Sequence, residues 1–228
     1  MYAFYFERAW REAGHYFQKA IEINPRSSLS QAYYGLFLAT ERRLTEEAFE
    51  RVTQACQMDP LSALIHSLAA STLYSLGRYE AAERTAHQAL ELQPDHLFGL
   101  WVRGLALSGL GRHEEAIDAA ERTVTLARAP CFVSMLGFIY ARAGRLDDAS
   151  RLQHELEDRS SRGEYVGAAA HLAFHVGRGD LPAMRTTLAK VLEEDTPPYT
   201  VLATSGPFLE AFRSDPEINR MLLELYGW

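Results

Sequence analysis

Residues 73–94 read LYSLGRYEAAERTAHQALELQP, and this stretch decides the fold. It joins a Gly-Arg turn to small residues at helical spacing and ends in a proline, which has no amide hydrogen with which to continue a helix. The Gly-Arg pair recurs at positions 77, 111, 144 and 177, separated by 34, 33 and 33 residues. A fixed period of this length predicts stacked helical hairpins rather than one globular core.

Two further series of residues keep nearly the same spacing along the chain. One comprises Ala13, Ala48, Ala82, Ala116, Ala149 and Met184, and the other comprises Ala20, Ala55, Ala89, Thr123, Leu156 and Val191. Small side chains here allow the helices of neighbouring hairpins to approach closely. Because a hairpin cannot bury its apolar face alone, we expect one continuous hydrophobic core along the stack.

Two of the units show the pattern most fully. The matching residues are Leu73, Gly77, Tyr79, Ala82, Ala89 and Pro94 in one unit, and Leu136, Gly137, Tyr140, Gly144 and Ala149 in another. With these residues the chain resembles the tetratricopeptide family, whose unit of about 34 residues is a helical hairpin. The resemblance covers residues 9 to about 195. It implies an all-α fold, a right-handed α-solenoid of helix-turn-helix (TPR) repeats with terminal capping helices.

We predict that residues 1–228 form a single solenoid. Its segments are a partial first repeat with an N-terminal helix at 1–27, repeats at 28–61, 63–96, 97–129 and 130–162, a degenerate hairpin at 163–196 and a C-terminal capping segment at 197–228. The apolar stripe of the first segment predicts one helix over about residues 3–22.

Capping signals mark the last two helices. Asp180 is expected to cap a helix with Pro182 in its first turn. Ser214 and Glu217 are spaced as a capping box that opens a final helix ending near Leu225.

The composition disfavours several classes of function. With 23 basic and 30 acidic residues and a net charge of -7, the chain has no block of positive charge for nucleic acid. Its apolar stretches are far shorter than the roughly 20 residues that span a bilayer, so we expect no membrane insertion. The N-terminus has no secretory-signal pattern, and Cys56 and Cys131 are too few for a disulfide framework. These features predict a cytoplasmic protein with reduced thiols.

The first helices of the second to fifth units are expected to line the concave face. Their repeat offsets place ten side chains there: Ala32, Leu36, Ser67, Ser71, Tyr74, Phe98, Trp101, Leu105, Ser134 and Phe138. This partner-binding groove would be apolar with hydroxyls, and Phe98 and Trp101 would anchor a protein or peptide segment. The alternative is that neighbouring helices cover these rings.

An aromatic cluster stands at the N-terminus, formed by Tyr2, Phe4, Tyr5 and Phe6. Exposed aromatic clusters often mark contacts, so one interpretation is a chain–chain contact in a homodimer. A frayed or self-packed terminus and a surface for an upstream region are the alternatives.

Few residues suggest chemistry. Arg103 stands where the repeat usually has a packed leucine, and either pairs with an acid of the following helix (Glu114, Glu115 or Asp118) or extends to water. His171 and His175 have the spacing of two metal ligands, yet two partly buried helix histidines are the favoured interpretation. No nucleophile–base set or phosphate loop stands out, so we expect no catalysis, cofactor or metal.

The ending from Phe208 to Pro216, followed by Ile218 and Leu222, resembles the ends of C-terminal TPR regions in bacterial signalling and transcription-regulator proteins. The resemblance implies a regulatory role. We therefore expect a non-catalytic protein–protein interaction module, a scaffold in bacterial signalling or regulation. A sensor of a small apolar ligand or signalling peptide is the alternative, and a hydrolase or metal-binding protein is a more remote one.

Overall fold

The computed structural model describes residues 10–41, 45–194 and 206–226, and every regular element in these ranges is helical. The helices are α1 (Trp10–Ile23), α2 (Ser28–Glu41), α3 (Thr45–Met58), α4 (Ala63–Ser75), α5 (Tyr79–Leu92), α6 (Leu97–Gly109), α7 (His113–Leu126), α8 (Pro130–Arg142), α9 (Leu146–Ser161), α10 (Ala168–Arg178), α11 (Leu181–Glu193) and α12 (Pro216–Tyr226). Residues 206–209 are also helical and lead into the 3₁₀ turn Glu210–Phe212.

Successive helices pair as antiparallel hairpins. The pairs are α2–α3, α4–α5, α6–α7, α8–α9 and α10–α11, and the first helix of each hairpin also packs on the first helix of the next. Contacts therefore join near neighbours along the chain, which is the arrangement of a solenoid. The predicted all-α solenoid is confirmed. No helix of the described ranges is long and apolar enough to cross a bilayer.

The small residues of the repeat lie in the helix interfaces as predicted. Ala48, Ala82, Ala116 and Ala149 have no exposed surface, and Met184 takes the same buried place in the last hairpin. Because each of these residues lies at the start of the second helix of its unit, a bulky side chain there would separate that helix from the first one.

Turn glycines explain why three of the hairpins close where they do. Gly77, Gly111 and Gly144 have φ of 72°, 73° and 78°, a left-handed conformation that glycine adopts without steric cost. At the first of these turns the amide of Arg78 donates to the carbonyl of Leu73 at 2.9 Å, which satisfies an end carbonyl of α4. A Cβ at any of the three glycines would meet no neighbour, so backbone conformation alone requires glycine there.

The fourth Gly-Arg pair is not a turn, and this part of the sequence interpretation was wrong. Gly177 lies inside α10, where a Cβ would stand 2.8 Å from the carbonyl oxygen of Phe138, so it serves close helix packing. The turn glycine is Gly179, with φ of 69°. Gly179 precedes Met184 by five residues, the same interval that separates Gly77 from Ala82.

The predicted helix caps have different outcomes. Asp180 does cap α11, accepting a hydrogen bond from the amide of Ala183 at 3.1 Å. The predicted capping box of Ser214 and Glu217 is wrong. Pro216 takes the first helical position of α12, so Asp215 is the capping residue. Asp215 accepts from the amide of Ile218 at 3.0 Å. Helix α1 ends at Ile23, while the predicted stretch 3–9 lies outside the described residues.

Candidate functional site: the concave face and its aromatic residues

The structure buries most of the predicted groove residues. The eight buried ones are Ala32, Leu36, Ser67, Ser71, Tyr74, Leu105, Ser134 and Phe138, while Phe98 and Trp101 are partly exposed. Ser67 illustrates the reason, because its hydroxyl oxygen lies 3.0 Å from Nδ1 of His96, at the start of the next unit. Of the ten predicted residues, only Phe98 and Trp101 offer surface to a partner in this conformation, and a binding role for the set stays a prediction.

Phe98 and Trp101 belong to a cluster of three rings, which we call the aromatic platform together with Phe132. The ring centroids of Phe98 and Trp101 are 5.5 Å apart, and those of Trp101 and Phe132 are 5.9 Å apart in an edge-on arrangement. All three side chains are partly exposed. The platform brings the first half of α6 together with the first turn of α8, so it spans two repeats.

The indole N–H of Trp101 adds a polar function to the platform. Its Nε1 atom is buried and makes no hydrogen bond to any described residue. A buried donor without a partner costs about 1–3 kcal/mol, and burial also closes this N–H to a ligand in this conformation.

Two further exposed side chains flank the platform. Leu64, with 38% of its surface exposed, and the exposed Cys131 occupy the same repeat offset as Phe98. Sequence analysis missed both, although the repeat spacing could have found them. The repeat spacing could not have predicted the exposure of Phe132, because Ile65 and Gly99, which occupy the same offset in the two preceding repeats, are buried.

A second part of the concave face is covered by the chain itself. Phe208, from residues 206–212, lies with its ring centroid 5.0 Å from that of the predicted groove residue Phe138. It also stacks on Tyr79, with centroids 6.1 Å apart and ring planes 9° apart. The sequence predicted only an end cap from this segment. Helix α12 does pack on α11, but Phe208 reaches back to the third and fifth repeats.

The partner of Arg103 differs from the predicted ones. Its Nε donates to Oε1 of Glu83 on the preceding helix α5 at 3.1 Å, and the Glu83 side chain is only 13% exposed. The second oxygen of Glu83 lies 3.9 Å from Arg112. Glu114, Glu115 and Asp118 were therefore the wrong choice, because Arg103 projects from α6 toward α5 instead of α7.

The histidines and cysteines are poorly suited to chemistry. Burial lowers the pKa of both His171 and His175, which keeps these side chains neutral near pH 7. No group of three or more His, Cys, Asp or Glu side chains within the described ranges is arranged to hold a metal ion. Burial raises the pKa of Cys56 to about 11, so its thiol is protonated and a weak nucleophile.

A cleft of about 460 Å³ opens between α7, α8 and α9. Most of its charges are already paired, since Arg151 pairs with Asp148 and Arg128 forms two hydrogen bonds with Glu155, at 2.9 and 2.5 Å. Tyr140 donates to Glu121 at 2.6 Å, and burial together with this carboxylate raises the pKa of the phenol to about 12. The cleft thus presents no activated group.

Stacked hairpins with left-handed turn glycines and buried small residues define an α-helical repeat solenoid, a fold that serves as a protein-interaction scaffold. The predicted resemblance to the tetratricopeptide repeat family is confirmed. A family model described as tetratricopeptide repeat matches residues 64–96, the unit that shows the pattern most fully.

Known proteins share part of this sequence or this fold. The TPR repeat-containing thioredoxin TDX of Arabidopsis thaliana is 37% identical over 71 residues, which are 31% of this chain and only 19% of that relative. Among solved structures, the type IV pilus biogenesis factor PilW has a TM-score of 0.59 at 18% identity, covering 94% of this chain and 91% of PilW. A thermophilic TPR protein of Thermus thermophilus, TTC0263, also has a TM-score of 0.59 at 18% identity, covering 81% of this chain and 91% of TTC0263.

Proposed function

We propose that this chain is a non-catalytic interaction module that holds a segment of another protein against its concave face, anchored on the aromatic platform. The single observation that carries the proposal is the clustering of Phe98, Trp101 and Phe132 as three partly exposed rings spanning two repeats. Partly exposed aromatic side chains at the centre of a surface commonly contribute most of the binding energy at an interface.

The platform suits an extended or helical apolar segment. An incoming side chain would bury apolar area against rings that are already held in place by α6 and α8, so little conformational entropy would be lost on the receptor side. Leu64 would extend the contact to the preceding repeat, and Cys131 would widen it beside Phe132.

A regulatory setting is part of the proposal. It is supported by the resemblance of residues 208–216 to the ends of TPR regions in bacterial signalling proteins. Cys56 and Cys131 are free thiols, which suits a reducing compartment such as the cytoplasm, and the net charge of -7 favours a protein partner over nucleic acid. The proposed homodimer contact through Tyr2, Phe4, Tyr5 and Phe6 lies outside the described residues.

Site-specific photo-crosslinking in the native cell tests the platform. A benzoylphenylalanine at position 98 is expected to crosslink one protein partner, and Trp101→Ala is expected to abolish that product. The matched control places the same group at position 165, where Tyr165 is 79% exposed but distant in sequence from the platform. Equal products at both positions would contradict the proposal. Thermal stabilisation by a lipid extract but not by protein would favour the small-ligand sensor instead.

A further inference from the structure

We propose that the concave face contains a second anchor site, an aromatic pocket formed by Tyr79, Phe138 and Arg142, which takes an aromatic side chain of the partner and is occupied here by Phe208. The inference rests on the proposed function, because it supplies the other end of the same binding surface. It assigns residues 206–212 the role of an internal competitor, which we call the C-terminal insert.

Three kinds of contact surround the ring of Phe208. Tyr79 stacks on it nearly parallel, with ring planes 9° apart, while Phe138 meets it at 56°. The guanidinium carbon of Arg142 lies 4.3 Å from the ring centroid. Stacking, tilted packing and a cation–π contact together favour an aromatic ring over an aliphatic side chain of similar size.

The walls of the pocket belong to the repeats. A Cβ at Gly109 of α6 would stand 2.7 Å from the ring of Tyr79, so the absence of a side chain there allows this ring to lie across α6. Tyr74 supports the same ring, with centroids 6.0 Å apart. Phe138 is fully buried in α8. The pocket is thus built by repeats three to five, and the insert only occupies it.

The insert is tethered to the end of the solenoid. Asp215, which begins α12, pairs with Arg185 of α11, and α12 packs on that helix. Closer to the pocket, Arg213 pairs with Glu210 of the insert itself and with Asn219 of α12. The side chains of Phe208 and the neighbouring buried Leu209 are apolar, so they can leave the groove while α12 stays docked through the pair of Asp215 with Arg185.

The spacing of the two anchors specifies the partner. Gly109, beneath the pocket, follows Trp101 by eight residues of α6, which corresponds to about 12 Å along the helix. An extended strand rises about 3.3 Å per residue, so this distance is covered by roughly four residues. An extended partner segment would therefore carry two aromatic side chains about four positions apart, one on the platform and one in the pocket.

The test uses the full chain and a fluorescent synthetic peptide, GPFLEAFR, which reproduces residues 206–213. The variant Phe208→Ala frees the pocket, so it is expected to bind the peptide at least about tenfold more tightly than the wild type, whose own insert is present at high effective concentration. The same peptide with alanine in place of its first phenylalanine is expected to bind neither protein. Tyr165→Ala, a matched loss of an exposed ring elsewhere, should bind as the wild type does.

A second measurement covers the case in which Phe208→Ala loses its fold. Arg142 is exposed, so Arg142→Ala removes one pocket contact while the core stays intact. Hydrogen exchange of residues 206–212 should then accelerate severalfold, with exchange in α8 unchanged. In the double variant, Arg142→Ala should also abolish the gain in peptide affinity that Phe208→Ala produces.

Equal peptide affinity of wild type and Phe208→Ala, or unchanged exchange in Arg142→Ala, would overturn the inference. Neither result would affect the proposed function, because crosslinking at position 98 reports on the platform and not on the pocket. Conversely, loss of the crosslink at position 98 would leave the peptide competition measurable.

Discussion

Arg103 of α6 donates through its Nε to Oε1 of Glu83 on α5, at 3.1 Å, and the carboxylate is 13% exposed. The pair ties the second helix of one repeat to the first helix of the next. Removing one partner of an ion pair with this little exposure lowers stability, because the remaining charge has little access to water and has lost its nearest counter-ion.

Arg103→Ala is expected to lower the free energy of unfolding by about 1–3 kcal/mol, since the Glu83 carboxylate keeps only the more distant Arg112. Urea denaturation measures this change. The control is Arg122→Ala, which removes the pair with Asp95 at 2.6 Å, where both side chains are at least half exposed. That exposed pair should contribute less than about 1 kcal/mol. Equal effects would show that the Arg103 pair is solvated like a surface pair.

The substitutions Gly137→Ala and Gly77→Ala should both lower the stability of the fold, for different reasons. A Cβ at Gly137 would stand 1.9 Å from Cε1 of Phe174, a fully buried ring that cannot move aside, so overpacking is expected to cost about 1–3 kcal/mol or more. At Gly77 the space is free and only the φ of 72° opposes a side chain, at about 1–2 kcal/mol.

A second substitution separates these two mechanisms. Phe174→Leu removes the clashing ring atoms and should restore part of the stability of Gly137→Ala in thermal unfolding. The same change should add its own cost to Gly77→Ala. Simple additivity in both backgrounds would argue against the clash.

Acid should destabilise the α6 end of the aromatic platform. His96 caps α6 by accepting the amide of Gly99 at Nδ1, at 3.1 Å, and burial lowers the pKa of this imidazole. The folded state therefore favours the neutral form. The contribution of His96 to the free energy of unfolding is fully present above the ordinary histidine pKa of about 6.5. It is lost as pH falls through the lower pKa of the folded state.

Unfolding measured from pH 7.5 downward tests this contribution. His96→Asn keeps a capping side chain without a titrating group, so the decline of stability in acid should become shallower. The control is His87→Asn, at an exposed histidine of α5, which should leave the decline of stability in acid as in the wild type. An unchanged slope in His96→Asn would mean that the half-buried His171 and His175 account for it.

The cap of α12 provides a direct comparison of neighbouring residues. Asp215→Ala removes the acceptor for the amides of Glu217 and Ile218 and the partner of Arg185, so the first turn of α12 should exchange its amide hydrogens faster. Ser214→Ala should have little effect, since Ser214 is not the capping residue. Hydrogen exchange followed by mass spectrometry distinguishes them, and a larger effect at Ser214 would restore the capping-box interpretation.

Much of the fold was predictable because a repeat encodes its packing locally. Each hairpin uses the same offsets, so the period alone identified the turn at Gly77 and the buried alanines. The error at Gly177 came from reading a dipeptide by itself. Its interval to Met184 is seven residues rather than five, and that interval already pointed to Gly179 as the left-handed position.

The sequence by itself determined that the chain is an all-α tetratricopeptide solenoid, since helical periodicity and close-packed small residues act between near neighbours along the chain. Only the tertiary structure decided which concave residues stay exposed, that Arg103 pairs with Glu83 and that Phe208 lies between Tyr79 and Phe138. Phe208 is separated from these two rings by 129 and 70 residues, and no repeat offset relates them. Such contacts depend on how the whole stack curves and where its end returns, which no local pattern of side chains records.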